Sequence, residues 1–309
     1  MNILITNDDG IDAKGIATLV EKFKEMGEVT VVAPNKQMSA TSHSITTVTP
    51  IRVQKHYKNN EFWGYSLMGS PADCVKWALS TLLEKKPDMV VSGINHGRNT
   101  GINIMYSGTV AAAAEGHIVG IPSFAVSLSS HDSEIDCEVA AEYAFKIVSE
   151  MMKREDKEKL FLNINIPAVE KNKIKGIKVV KSSSSFWEDN FEKRIDPFGR
   201  AYYWFNGSYI YDANEENIDD VVLDDNYVAV TPIQYQFTNI QQLEEIKDLE
   251  NITNLEEVAE ENSEVNDDIV DENTVETEIE IKPEDAEQSE VFERADSEIE
   301  RILSDRENE

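Results

Sequence analysis

The chain has 309 residues, of which 40% are hydrophobic, and a formal net charge of −30 at pH 7. So acidic a chain has no polycationic face for a nucleic-acid backbone, and its two cysteines, Cys74 and Cys137, form no CxxC pair or disulfide framework. No apolar run approaches the roughly 20 residues of a membrane span, and the N-terminus lacks the pattern of a signal peptide. We therefore expect a cytoplasmic protein with no nucleic-acid and no membrane partner.

The first 33 residues predict a strand, a helix and a second strand. Ile3-Leu4-Ile5 is an apolar run typical of a strand buried on both faces. Apolar residues then recur at helical spacing between Ile16 and Met26, with Asp12 placed to cap the start of this helix and Gly27 to end it. The second strand is Val29 to Ala33, and together these elements form a βαβ unit.

The middle of the chain continues this alternation after one excursion. Alternating residues from 45 to 67, around Asn59-Asn60, predict a hairpin. Ser70-Pro71 then begins a helix, with Ser70 as its N-cap and Asp73 completing a capping box. A buried strand follows at 89–91 and ends in Ser92-Gly93-Ile94-Asn95.

The later elements indicate the fold class. A helix is predicted to begin at Thr109, followed by strands at 124–126 and 160–166 that are separated by a helix over about 134–153. Strands and helices in alternation predict an α/β fold, a three-layer α/β/α, doubly wound, mostly parallel (Rossmann-like) sheet. Residues 174–240 are rich in Tyr, Trp, Thr and Val without helical spacing, which indicates a C-terminal antiparallel β extension.

The acidic residues are unevenly distributed, and this predicts a boundary. Residues 251–309 contain 23 Asp and Glu against 4 Lys and Arg, whereas residues 1–250 contain 36 and 25. We predict a Rossmann-like core over 1–170, a β extension over 171–245 and an acidic tail over 246–309 that is disordered or weakly helical. Phe292, Ala295, Ile299, Ile302 and Leu303 could form one amphipathic helix in this tail.

Three polar loops leave the carboxyl ends of predicted strands, at 7–10, 35–44 and 92–108. In an open parallel sheet ligands bind at that edge. The loops bring together four oxygen-bearing side chains, those of Asp8, Asp9, Ser39 and Asn95. Such donors suit one hard divalent cation, Mg²⁺ or Mn²⁺.

The neighbouring carboxylates of Asp8 and Asp9 are the physical reason to expect a cation. Like charges at about 4 Å repel by several kcal/mol at a protein-like dielectric. The alternative is that Asn7 to Gly10 is only a turn whose last aspartate caps the following loop.

Ser107, Gly108 and Thr109 stand at the start of a helix, where free N–H groups favour an anion. The alternative is an ordinary Ser/Thr helix cap. Other chemistries fit less well. Zinc would need an HExxH or His-Cys cluster, a cysteine phosphatase would need a loop and an arginine after Cys74, and the aspartate spacing differs from that of haloacid-dehalogenase-type phosphatases. We interpret His43 as structural.

Several long motifs occur in order along the chain. They are Ile-Leu-Ile-Thr-Asn-Asp-Asp-Gly at 3–10, Val-Ala-Pro at 32–34 leading to Ser39, Ser-His-Ser-Ile-Thr at 42–46, Gly-Ser-Pro-Ala-Asp-Cys-Val at 69–75, Ser-Gly-Ile-Asn at 92–95 and Tyr-Ser-Gly-Thr-Val-Ala-Ala-Ala at 106–113. With these motifs the chain resembles the SurE family of survival-protein nucleotidases, from residue 1 to about 240.

The resemblance implies a metal-dependent 5′/3′-nucleotidase that acts on nucleoside monophosphates, and a homodimer or homotetramer joined by exchanged C-terminal arms. By matching position, Asp8, Asp9, Ser39 and Asn95 would hold the metal. Asp8 and Asp9 would be catalytic, while Asn95 and residues 107–109 would contact the substrate. Asp196 to Trp204, with Arg200, is similar to a characteristic stretch of the family.

Two departures and two rival functions stay open. The chain has Ser182 to Ser185 where basic residues are usual in the family, which puts substrate affinity in doubt, and the acidic tail lies outside the family core. The first rival is a catalytically weak regulatory module that binds nucleotide or metal. The second is an interaction protein in which the tail is the functional part.

Overall fold

The structure is a computed structural model, and it describes residues 1–132 and 134–251. Residues Met1–Phe237 form one compact unit, and the described residues from Thr238 to Asn251 belong to a second. Most of the predicted acidic tail, including the segment from Phe292 to Leu303, lies outside the described residues. The domain boundaries at 170 and 245 stay predictions.

The described residues contain eleven strands in two sheets. Nine of them form one sheet in the order β3-β4-β2-β1-β5-β6-β7-β11-β8, and β9 pairs with β10 in a separate antiparallel sheet. The strands are β1 (Asn2–Thr6), β2 (Glu28–Pro34), β3 (Val53–Lys58), β4 (Glu61–Leu67), β5 (Met89–His96), β6 (Ser123–Leu128), β7 (Phe161–Ile166), β8 (Gly176–Val179), β9 (Phe186–Ile195), β10 (Ala201–Ile210) and β11 (Tyr227–Pro232).

Helices connect the strands. They are α1 (Lys14–Phe23), α2 (Pro71–Trp77, continued by a π-helical turn at Ala78–Leu82), α3 (Asn103–Tyr106), α4 (Gly108–Ile118), α5 (Glu138–Met151), α6 (Asp219–Asp224) and, within the second unit, α7 (Ile240–Glu245). Short 3₁₀ helices lie at Lys157–Lys159, Lys171–Lys173 and Lys247–Asn251. Among residues 1–132 and 134–251, no helix has the length and apolar character needed to cross a membrane.

The main sheet is buried on both faces, which explains its nearly continuous apolar strands. Ile3 and Ile5 of β1 pack into the core beneath α1 and α5, whereas Leu4 packs into the core beneath α2 and α4. The pairs from β4 to β7 across the sheet are parallel, while β3 and β11 pair antiparallel with β4 and β7. The predicted three-layer, doubly wound α/β class is therefore confirmed.

Local sequence signals predicted the start of α2 correctly but did not predict the ends of α1. At α2 the predicted capping box is present, because Asp73 N–H donates to Ser70 Oγ (3.1 Å) and Ser70 N–H donates to Asp73 Oδ2 (2.8 Å). The prediction for α1 was wrong at both ends. The helix begins at Lys14, after Ala13, and ends at Phe23. The Asp12 carboxylate does not cap the helix and instead lies 3.1 Å from His56 Nε2.

Strand β5 is longer than the predicted run at 89–91, since it continues to His96. Its register with β6 shifts between Ser92 and Asn95, where the Gly93–Ile94 peptide bond is cis. Gly93 has φ of +140°, and a Cβ at this position would lie 2.3 Å from the Val126 carbonyl oxygen. Asn95 therefore stands at the end of a buried strand and not in a free loop.

The antiparallel extension predicted for 174–240 corresponds to the hairpin of β9 and β10. Most of this hairpin is exposed, including the large side chains of Phe186, Phe191 and Tyr203. Strands β8 and β11, from either side of the hairpin in sequence, pair with each other in the main sheet. Helix α5 begins at Glu138, four residues after the predicted start.

The strand order positions the loops. The chain leaves β1 towards β2 on one side, while β5 lies on the other side of β1. This reversal makes the carboxyl ends of β1 and β5 the switch point at which open α/β sheets bind ligands. Asp8 and Asp9 directly follow β1, and Asn95 is the penultimate residue of β5.

Candidate active site

A cavity of about 480 Å³ opens at this switch point. Asp8, Ser39, Asn95 and Ser107 line it, so four of the seven predicted site residues share one cavity. Asp9 lies next to it, against His96, which is a lining residue. The folded chain thus brings together side chains from the 7–10, 35–44 and 92–108 loops.

Asp8 is buried and bound to the start of α4. Its carboxylate accepts hydrogen bonds from Thr109 Oγ1 and, at 3.2 Å, from Thr109 N–H. Burial and the neighbouring charge of Asp9 raise the pKa of Asp8 to about 6, although the bonds from Thr109 act in the opposite direction. A cation beside Asp8 would therefore stabilise its ionised form.

Asp9 is held by His96. The Asp9 Oδ2 atom accepts a hydrogen bond from the His96 backbone N–H and lies 3.1 Å from His96 Nδ1. Hydrogen bonds with Asp9 and with Cys137 raise the pKa of His96 to about 10, since together they outweigh burial, which lowers it. At neutral pH an imidazolium therefore balances the charge of Asp9 in this structure.

Ser39 lies on the exposed loop after β2, and Gln37 connects it to Asp9. The Gln37 side-chain amide donates to Ser39 Oγ at 2.9 Å and lies 3.5 Å from Asp9 Oδ1. The loop is also fixed to the first strand's exit, because Met38 N–H donates to the Asp8 carbonyl oxygen at 2.7 Å. The backbone thus sets the distance between Ser39 and the aspartates.

Asn95 presents an oxygen at the cavity. Its Nδ2 donates to the Gly97 carbonyl oxygen at 2.8 Å, which orients the side-chain amide. Its Oδ1 accepts no hydrogen bond from the residues that the structure describes. A largely buried amide oxygen in that state is available to a ligand.

The composition of the site fits a hard cation. No group of three His, Cys, Asp or Glu side chains suited to a metal occurs in residues 1–132 and 134–251. The available donors are two carboxylates, the Ser39 hydroxyl and the Asn95 amide oxygen. All are oxygens, as Mg²⁺ and Mn²⁺ prefer, and either cation would offset the burial and the Asp9 charge that raise the pKa of Asp8.

The start of α4 is partly used to hold the site itself. Thr109 N–H is bound to Asp8, and Val110 N–H donates to Ser107 Oγ at 3.1 Å. A Cβ on Gly108 would lie 3.0 Å from Asp8 Cβ, tighter than most such contacts, so a larger residue here would displace Asp8 or the helix start by a few tenths of an ångström. The Ser107 hydroxyl and the Gly108 N–H are the donors left for an anion.

A buried carboxylate on α4 holds the loop that carries Ser39. Glu115 Oε1 lies 2.8 Å from His43 Nε2, and Glu115 Oε2 accepts from Lys76 Nζ at 3.0 Å. These two partners lower the pKa of Glu115, although burial alone would raise it. His43 therefore faces Glu115, in a structural contact.

Replacing Glu115 with glutamine is expected to lower the free energy of unfolding at pH 7 by about 1–2 kcal/mol, because charge-assisted bonds to His43 and Lys76 are lost. The folded-state pKa of Glu115 lies below its ordinary value of 4.5, so this stabilisation is complete above pH 4.5 and is lost as the pH falls through the folded-state pKa. Urea unfolding from pH 7 to pH 3 should show the two proteins converge. Glu84→Gln, on an exposed side chain, is the control, and a constant difference across this range would contradict the assignment.

Residues 3–189, more than half of the chain, match the family model described as Survival protein SurE. The chain belongs to the SurE family. The aspartate pair, the Ser39 loop, the end of β5 and the start of α4 all lie within the matched residues.

Similar SurE proteins extend the match over most of the chain. The 5′-nucleotidase SurE of Chlorobium phaeobacteroides is 44% identical over 238 residues, which cover 77% of this chain and 92% of that protein. The 5′-nucleotidase SurE of Thermosipho africanus is 42% identical, with 80% and 97% covered. The crystal structure of the SurE protein from Aquifex aeolicus is 38% identical with a TM-score of 0.70, and the match covers 81% of this chain and 100% of that one.

Two features of this SurE chain concern the hairpin. Arg200 lies in the turn between β9 and β10, where it pairs with Asp196 at 2.9 Å and does not line the cavity. Two of the four serines found in place of basic residues have structural partners, since Ser183 Oγ donates to Asp220 and Ser185 Oγ accepts from Ile102 N–H at 2.9 Å. They anchor the base of the hairpin near the cavity.

Sequence reasoning missed several lining residues, namely Gln37, His96, Arg98, Asn103, Tyr106, Trp187 and Tyr209. His96 directly follows the Ser-Gly-Ile-Asn motif, so its position could have indicated a role beside Asn95. Trp187 and Tyr209 come from the hairpin, more than 90 positions after Asn95. No local pattern indicates their position, because a tertiary contact places them.

Proposed function

We propose that this chain is a metal-dependent 5′-nucleotidase, which also hydrolyses 3′-monophosphates, and that it releases phosphate from nucleoside monophosphates. The observation that carries the proposal is the set of four oxygen donors, from Asp8, Asp9, Ser39 and Asn95, beside the start of α4. The relatives that bear the name 5′-nucleotidase SurE support it.

In this proposal Asp8, Asp9, Ser39 and Asn95 hold one divalent cation, Mg²⁺ or Mn²⁺. When bound, the cation neutralises phosphate oxygens and lowers the pKa of a water molecule. Asp8 and Asp9 supply the negative charge that keeps the cation in place. The Ser39 hydroxyl and the Asn95 amide add neutral oxygens without further like-charge repulsion.

The remaining groups bind the phosphate or orient the Asp8 carboxylate. The Ser107 hydroxyl and the Gly108 N–H donate to phosphate oxygens at the start of α4, where the helix dipole also favours negative charge. Thr109 orients the Asp8 carboxylate through its two hydrogen bonds. Donors fixed in this way favour the charge that develops in the transition state, and cost no reorganisation during the reaction.

The reaction demands a large contribution from the site. Hydrolysis of phosphate monoesters is among the slowest uncatalysed reactions, and its acceleration requires more than ~15 kcal/mol of transition-state stabilisation. Hydrogen bonds from Ser107 and Gly108 supply at most about 3–4 kcal/mol each, by analogy with one oxyanion-hole donor, so about half or more of this stabilisation must come from elsewhere. We therefore assign the larger share to the charged centre.

Metal removal tests the proposal. The chain is treated with EDTA, and phosphate release from 5′- and 3′-nucleoside monophosphates is measured before and after addition of Mn²⁺ or Mg²⁺. We expect at least a ~100-fold loss on chelation and recovery with either cation, because without one the phosphate oxygens are not neutralised and the pKa of the attacking water is not lowered. Binding of nucleotide and Mn²⁺ without phosphate release would instead favour the regulatory module.

We also propose that the chain forms a homodimer or homotetramer, as the resemblance to the family implies. The hairpin of β9 and β10 supports this, since it carries large apolar side chains that are more than half exposed, among them Phe191, Phe198 and Trp204. Apolar area of this kind is typical of an interface between subunits.

A further inference from the structure

A second cleft, of about 500 Å³, adjoins the active-site cavity. Both are lined by Ala40, Asn103, Tyr106 and Trp187, so the two form one continuous groove. One end of the groove has the carboxylates and hydroxyls described above. The other end is lined by the rings of Tyr106, Trp187 and Phe205, and we name it the aromatic cleft.

The three rings come from separate segments, α3, β9 and β10, and each is substantially exposed. Tyr106 is 49% exposed, Trp187 40% and Phe205 62%. Three apolar rings that converge beside a polar cavity are unusual for a free surface, because each would be more stable out of water. Their convergence indicates a ligand with a flat apolar part.

The position of Trp187 is fixed by contacts on two sides. Its indole N–H donates to Asn103 Oδ1 at 2.9 Å, and its ring centroid lies 5.4 Å from that of Tyr209. The Tyr209 hydroxyl in turn lies 2.6 Å from Ser185 Oγ and 2.9 Å from the buried Asp220 Oδ2. A ring held in this way binds a planar ligand at a low entropic cost.

The charged and polar groups along the groove determine the orientation of a bound nucleotide. Asp189 lines the aromatic cleft, and its carboxylate repels a phosphate group. The Ser107 hydroxyl and the start of α4 lie in the active-site cavity, where a phosphate is favoured. A nucleoside monophosphate would therefore bind with its phosphate at the start of α4, beside the proposed cation, and its base in the aromatic cleft.

We propose that the aromatic cleft binds the nucleobase of the substrate by stacking on Trp187 and Tyr106. This inference rests on the proposed nucleotidase function and adds the residues that recognise the base. Stacking tolerates any base, because every base has a π face, and it favours purines because of their larger ring area. The side-chain amides of Asn103 and Asn206, which also line the cleft, are within reach of the edge of a base.

The test compares AMP with ribose 5-phosphate, a substrate that has the sugar and phosphate but no base. In the wild-type protein, kcat/KM should be higher for AMP. In Trp187→Ala the ratio of the two kcat/KM values should fall by about 5- to 100-fold, in line with alanine substitutions at base-stacking residues. Trp187→Phe keeps a ring and loses the bond to Asn103, so it should restore most of the ratio.

Phe186→Ala is the matched control. Phe186 neighbours Trp187 on β9 and is 55% exposed, but successive side chains of a strand point to opposite faces and it does not line the aromatic cleft. Its ratio should equal that of the wild type. Tyr106→Ala, on α3, provides a second variant outside the hairpin and should lower the ratio as Trp187→Ala does.

The possible results distinguish failure of the proposed base site from failure of the proposed nucleotidase function. If neither phosphate ester is hydrolysed by the wild-type protein, the nucleotidase function itself fails. If both are hydrolysed and Trp187→Ala leaves the ratio unchanged, the base site is wrong, whatever happens to absolute activity. A change of oligomeric state with an unchanged ratio would assign the rings to a subunit interface. Inhibition of ribose 5-phosphate hydrolysis by adenosine, but not by ribose, would support the proposal independently of any variant.

Discussion

Replacing Asp8 with asparagine is expected to lower kcat/KM for AMP by at least about 10³-fold while the fold is retained. Asparagine has nearly the same shape as aspartate, and its oxygen can still accept a bond from Thr109. It lacks the charge that the proposed cation requires. A loss of this size corresponds to about 4 kcal/mol of transition-state stabilisation, a common value for the loss of one essential charged group.

The stability of the Asp8→Asn variant is part of the same test. Burial and the charge of Asp9 raise the pKa of Asp8 to about 6, so the ionised carboxylate is costly in the folded protein. The neutral amide removes this cost, and we expect a melting temperature equal to or above that of the wild type. The loss of activity would then have a chemical cause and not a structural one.

Asp12→Asn is the control for this experiment, because Asp12 lies in the same loop but its side chain is 77% exposed and lies against His56. Its steady-state kinetics should match the wild type. Near-normal turnover of Asp8→Asn, measured as phosphate release in saturating Mn²⁺, would refute the assignment of Asp8.

Replacing Asp219 with alanine is expected to lower the free energy of unfolding by about 3–5 kcal/mol. The fully buried Asp219 carboxylate accepts hydrogen bonds from Gly101 N–H (3.0 Å), Ser183 N–H (2.9 Å) and Asp220 N–H (3.0 Å). Alanine leaves these backbone donors without a partner, and each buried unsatisfied group costs about 1–3 kcal/mol. The contacts connect the loop after β5 to the base of the hairpin.

Chemical denaturation at pH 7 measures this loss, with two variants for comparison. Asp225→Ala, on an exposed residue just after α6, should change the unfolding free energy by less than about 0.5 kcal/mol. Asp219→Asn should lower the unfolding free energy less than Asp219→Ala does, because the asparagine oxygen still accepts hydrogen bonds. Burial also raises the pKa of Asp219, so the negative charge that asparagine removes is itself unfavourable in the folded protein. Equal stability of the alanine variant and the wild type would contradict this role for Asp219.

Several elements could be predicted because their signals are local. Ile3, Leu4 and Ile5 are apolar in succession because both faces of β1 are covered, and that requirement is visible in the sequence. The capping box at Ser70 and Asp73 uses atoms three residues apart, and the structure has it as predicted. The motif from Asn7 to Gly10 indicated the aspartate pair because the two aspartates are neighbours in the sequence.

Other features depend on contacts that a local pattern does not contain. Asp12 has the residue type of a helix cap, but a pairing with His56, 44 positions away, competes for its carboxylate. Residues 92–96 have the composition of a loop, yet pairing with β6 and the close approach of Gly93 to Val126 keep them in the sheet. The N–H groups at the start of α4 were predicted to be free to bind an anion, whereas the Thr109 N–H already donates to the Asp8 carboxylate.

By itself, the sequence determined the alternation of strands and helices, the carboxylate pair after the first strand and the polar loops that follow the others. Those features follow from side-chain chemistry and from neighbours a few residues apart. Only the tertiary structure decided which of these loops share a cavity, that His96 pairs with Asp9, and that Trp187 from the hairpin stands beside Tyr106. The physical reason is that such contacts join residues tens of positions apart, and their geometry exists only once the strands have paired and the core has packed.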